Sequence, residues 1–92
     1  MVNLNGLENC INVAKETNQK FIGVLVQMEG FKTPELIINE NKNFEDKLAY
    51  YKEAYNEDLT LKRCKCIKII GYAFGESIDN IFDYLNDSKG LN

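Results

Sequence analysis

The segment Phe21-Ile22-Gly23-Val24-Leu25-Val26-Gln27-Met28 constrains the fold more than any other part of the chain. Read with the two-residue period of a strand, Ile22, Val24, Val26 and Met28 face one side, and Phe21, Gly23 and Leu25 the other. Both sides are apolar near the middle, which suits a strand inside a sheet better than one at its edge. Lys20 to Met28 is therefore read as a central strand. Glu29 to Lys32 supplies a turn, and Glu35 to Ile38 returns as a short second strand. Pro34 cannot donate to a ladder, so that strand lies at an edge or begins at the proline. A β-hairpin is expected.

Around this hairpin the apolar period changes to that of a helix. Leu4, Leu7, Cys10, Ile11 and Ala14 predict a first helix over about residues 5–17, opened by Asn5 with Glu8 and stopped at Asn18. Phe44, Leu48, Tyr51 and Tyr55 share one stripe of a second helix over 44–56, with Asn43 as its cap and Glu45 and Asp46 in its first turn. A third strand runs from Arg63 to Phe74, bent or bulged at Gly71. Ser77 caps a last helix in which Ile78, Ile81, Phe82 and Leu85 form the stripe expected to be buried. The expected architecture is α+β in the order α-β-β-α-β-α. It comprises a small three-stranded, mostly antiparallel sheet with the helices packed on one face. A parallel βαβ arrangement is disfavoured by the hairpin. With 92 residues, one proline and no repeat, residues 1–92 read as a single domain.

The residues available for chemistry are few. The chain has no histidine, the group on which catalytic triads, neutral-pH general bases and most catalytic zinc sites depend. It has no Walker-type loop and no dinucleotide fingerprint, and the aromatics within Gly71-Tyr72-Ala73-Phe74-Gly75 suit a strand better than a phosphate cradle. Cys64, Cys66 and Cys10 are too few for structural zinc, and the one-residue spacing of the first two is closer than paired ligands usually stand. The expectation is a protein that is no enzyme and carries neither cofactor nor metal. An odd number of cysteines and no leader-like or membrane-length apolar run point to a reduced, cytoplasmic protein with no membrane partner.

Two opposed charge clusters remain as binding candidates in a chain whose net charge is only −3. Lys62, Arg63, Lys65 and Lys68 lie within seven positions, near Tyr72 and Phe74 in sequence, and are the candidates for an anionic ligand. The plainer alternative is a strand edge guarded by lysine, or a balance of nearby acids. Asp79, Asp83 and Asp87 recur at every fourth position of the last helix and form the candidate surface for a protein partner. At about 0.2–0.5 kcal/mol for each like-charge pair, an ordinary solvated face tolerates such a row. Tyr50, off the buried stripe of the second helix, is the candidate interface anchor, whereas Tyr51 and Tyr55 are assigned to the core.

The strings FIGVLVQMEGF (21–31), PELIIN (34–39), KLAYYKEAY (47–55), DLTLK (58–62) and IKIIGYAFGES (67–77) resemble uncharacterised small proteins encoded by phages and prophages of low-GC Gram-positive bacteria. The likeness covers about residues 20–77 and brings no enzymatic motif with it. It implies an accessory phage protein acting in the cytoplasm of a bacterial host cell. That class includes inhibitors of host defence such as anti-CRISPR proteins, and sponges for immune nucleotide signals. The expected partner is thus a host protein or a nucleotide. A nucleic-acid-binding accessory in phage replication or recombination is the alternative, and homo-oligomerisation is left open.

Overall fold

Asn3 opens the first helix by accepting a hydrogen bond on Oδ1 from the Gly6 amide at 2.7 Å. The cap therefore lies two residues before the expected Asn5. The computed structural model describes residues 2–90, with side chains through residue 86. Helix α1 (Leu4–Glu16) ends where Asn18 takes the left-handed conformation, φ 54°, which asparagine tolerates better than most side chains. Strand β1 (Phe21–Met28) turns through Gly30 into β2 (Glu35–Glu40). A 3₁₀ turn at Asn41–Asn43 leads into α2 (Phe44–Ala54), where the Asn43 side chain makes no capping bond. Next come a two-residue strand β3 (Thr60–Leu61), the long strand β4 (Cys64–Gly75) and helix α3 (Ile78–Gly90).

The sheet is antiparallel throughout and its order is β2-β1-β4-β3. It has four strands where three were expected, because Thr60-Leu61 is too short to carry a readable period. Its place is held by Leu59, in the left-handed region at φ 67° with a fully buried side chain, whose carbonyl accepts from the Ile69 amide. Such a conformation costs a leucine about 1–3 kcal/mol and persists only where packing enforces it.

The expected central strand is borne out, since β1 is paired on both sides. The expectation that all helices share one face is not. Ile22, Val24 and Val26 pack with Leu7, Ile11 and Ala14 of α1 and with Phe44 and Tyr51 of α2. Phe21 and Leu25 pack on the other side with Ile81 and Leu85 of α3. A strand apolar on both sides needs cover on both, so the helices divide.

The bulge sorts β4 between these layers. Leu25 stands opposite Gly71 but Val26 opposite Ile69, so Ile70 is the extra residue, one position before the expected bend. The bulge turns both Ile69 and Tyr72 toward α1 and α2, while Gly71 and Ala73 face α3. Small residues let α3 approach closely. A Cβ on Gly23 would stand 2.6 Å from Ile81 Cγ2, and one on Gly71 3.3 Å from Leu85 Cδ2. Contact is confined to that line, which corrects the expected buried stripe. Ile81 and Leu85 are buried, but Ile78 and Phe82 are about half exposed.

Cys64 and Cys66 are joined in a disulfide across a single intervening residue, contrary to the reduced state expected. The cysteine count therefore no longer argues for a reducing compartment.

Candidate functional site

Ser77 starts α3 by accepting from the Asn80 amide on Oγ at 3.1 Å, as its position in the sequence predicts. From there the helix presents three different sides. Ile81 and Leu85 enter the core. Ile78 and Phe82, 49% and 50% exposed, flank the buried line on the β2 side, where Phe82 joins Leu25, Pro34 and Leu36 around a shallow cleft of about 240 Å³. Asp79 and Asp83 are exposed one step further round. The side chain of Asp87 lies outside the described residues. The acidic surface is therefore bordered by two large apolar side chains. Pattern reading missed this border because Ile78 and Phe82 carry the same period as the core positions beside them.

Tyr50 is exposed, as expected, with its ring edge-on to Tyr51 and Tyr55 and with Lys47 Nζ 5.3 Å from its centroid. It belongs to α2, on the opposite side of the sheet from α3. The structure brings Asp79 and Asp83 together but places Tyr50 elsewhere, so a single flat partner surface does not include all three.

The basic residues occupy the other end of the sheet. Lys62 and Arg63 form the exposed turn between β3 and β4, and Lys65 and Lys68 project from the start of β4. Acids lie among them. Lys68 shares a cleft of about 740 Å³ with Glu8, Glu57 and Asp58. Lys65 shares a neighbouring one of about 470 Å³ with Glu57 and Asp58. Hydrogen bonds from Thr60, and then the Lys68 charge, hold the Asp58 carboxyl below its ordinary range. An anion entering here meets carboxylates as well as amines.

The aromatics named with this cluster are not beside it. Tyr72 is half-buried, with its hydroxyl directed at Gly6, and Phe74 lies at the far end of β4. At about 3.3 Å per residue, the span from Lys65 to Phe74 is roughly 30 Å.

The cysteines divide likewise. Cys64 and Cys66 occupy each other in the disulfide, and Cys10 stands apart on α1 as a half-buried thiol that burial pushes up to about 11. Among the described residues no group of three potential metal ligands converges, and no helix is long and apolar enough to cross a membrane.

These elements define the chain as an α+β protein whose four-stranded antiparallel sheet is covered by helices on both faces. No protein-family model, curated protein or solved structure matches it.

Proposed function

We propose that the chain is a non-catalytic binding protein of phage or prophage origin that inhibits a component of host defence by covering a basic protein surface with α3. The observation that carries this reading is the pairing of exposed Ile78 and Phe82 with Asp79 and Asp83 on one helix. Large apolar side chains supply contact energy at an interface, and acids beside them select a partner of opposite charge and steer its approach. Proteins that handle nucleic acids carry basic surfaces to attract phosphates, so they are the matching class of target. The basic turn at Lys62 and Arg63 has less support as a binding site, because Glu57 and Asp58 line the depressions next to it.

The test is phage plating on bacteria that carry a defence system, with and without the chain expressed. Plating should recover with the parent chain. It should be lost with Asp79→Lys combined with Asp83→Lys, and with Phe82→Ala, while circular dichroism shows each variant folded. Recovery that persists in the folded charge-reversed variant refutes the assigned surface. Failure of the parent chain across nuclease-based and nucleotide-signalling systems alike refutes the function.

A further inference from the structure

Strand β4 is only partly paired on its outer side. β3 reaches it at Cys64 and Lys68, and Leu59 adds one hydrogen bond at Ile69. From Ile70 to Gly75 that side has no strand partner among the described residues, although β1 pairs the inner side as far as Gly75. An open strand edge presents a row of unmatched amide and carbonyl groups, and natural sheets protect such edges with lysine, proline or a covering element. The other parts of this sheet's periphery follow that rule. β2 begins after Pro34 and carries Glu35 and Glu40 at its ends, and Lys62, Arg63, Lys65 and Lys68 surround β3. Ile70-Gly71-Tyr72-Ala73-Phe74-Gly75 contains no charge and no proline. Helices border the edge without closing it. Cys10 of α1 and Asn80 and Tyr84 of α3 line, with Tyr72, Ala73 and Phe74, a cleft of about 470 Å³.

We infer that this edge is the interface of a homodimer, in which β4 of one copy pairs antiparallel with β4 of a second and the two sheets become one. Only a strand satisfies a row of alternating backbone donors and acceptors, and three observations make that strand a second copy. First, the cleft lining is uncharged throughout, so two chains of net charge −3 meet there without like charges in contact. Second, the row is self-complementary. With the twofold axis at Ala73, Tyr72 stands opposite Phe74 of the other copy on the α1 face, a cross-strand aromatic pair repeated on both sides of the axis. Third, two large aromatic side chains beside the edge, Phe74 and Tyr84, are left 39% and 62% exposed, and pairing with a second copy would cover them. The Ile78 and Phe82 side of α3 stays free in such a dimer, so this inference stands apart from the proposed function.

The test is sedimentation equilibrium on the full chain, joined to amide hydrogen exchange. The expected mass is twice the 10.6 kDa of one chain at micromolar concentration. Amides of 70–75 should gain protection as concentration rises, while those of β2 do not. Phe74→Lys or Tyr84→Lys should raise the dissociation constant at least about tenfold by placing like charges across the axis. Ile37→Lys on β2 should leave it unchanged. A monomer at about 100 μM, a dimer indifferent to both lysine variants, or concentration-dependent protection in β2 instead of 70–75 would overturn the inference.

Discussion

Gly23 sits where β1 meets α3, and the space above it is already occupied. A methyl added there would stand 2.6 Å from Ile81 Cγ2, 3.1 Å from Ile38 Cδ1 and 3.3 Å from Leu36 Cδ1. The two δ-methyls are chain ends that can swing aside. Cγ2 of Ile81 cannot, because it branches at Cβ and a β-branched side chain in a helix keeps essentially one rotamer. Relief then requires α3 to lift from the sheet, and Gly23→Ala should cost about 1–3 kcal/mol, as overpacking usually does. For a domain of this size that corresponds to a fall in Tm of roughly 4–8 °C per kcal/mol. Ile81→Leu keeps the volume and removes the branch, and alone should cost less than about 1.5 kcal/mol. Combined with Gly23→Ala it should recover at least about 1 kcal/mol of the glycine variant's loss. The four proteins are compared by urea unfolding, followed by far-ultraviolet circular dichroism and by tyrosine fluorescence, since the chain has no tryptophan. A Gly23→Ala variant as stable as the parent refutes the argument, as does a double variant whose loss equals the two single losses added together.

Gly6→Ala should likewise destabilise, because its methyl meets the Tyr72 hydroxyl, and Tyr72→Phe should restore part of the loss in the same unfolding assay. With its pKa raised from 9.0 to about 11, the Cys10 thiol should react with iodoacetamide at pH 8.5 roughly 50–100-fold more slowly in the folded protein than in urea. Burial also raises Tyr51 and Tyr55, and all three groups hold their protons more tightly when folded. Their contribution is complete below the unfolded values of 9.0 and 10.0 and is lost as pH climbs through the folded ones, so the urea midpoint should fall steadily above about pH 9.

Much of this fold was legible wherever one period ran unopposed. FIGVLVQM read as a central strand, Phe44 and Tyr51 as the inner side of α2, Tyr55 as core although it lies just past the end of that helix, and Gly71 as the neighbour of a bulge. The split of the helices between two faces was present in β1 itself, in the apolar character of both its sides. Short strands and separated helices point the other way, toward cover on one face, and mask it. Thr60-Leu61 was illegible, since two residues carry no period and their pairing depends on the left-handed turn at Leu59. In the candidate site, the exposure of Tyr50, Asp79 and Asp83 followed from helical position. That of Ile78 and Phe82 did not, because it is set by the approach of α3 to Gly71 and to Gly23, the latter far away in sequence. Lys65 and Phe74 looked close along the chain, but an extended strand separates them as widely as a chain can.

The pairing of residue 21 with residue 75 at the centre of the sheet has a further consequence. The hairpin β1–β2 is local and closes early, whereas β1 cannot gain its whole second neighbour until Gly75 has been made. During synthesis the most apolar strand of the protein therefore waits with one side unpaired and with the α3 face uncovered, since β4 and α3 follow only after β2, α2 and β3. That interval is when an unfolded copy is most exposed to aggregation. How fast β4 and α3 are delivered, more than how strongly they bind once in place, should set the yield of folded protein in a cell.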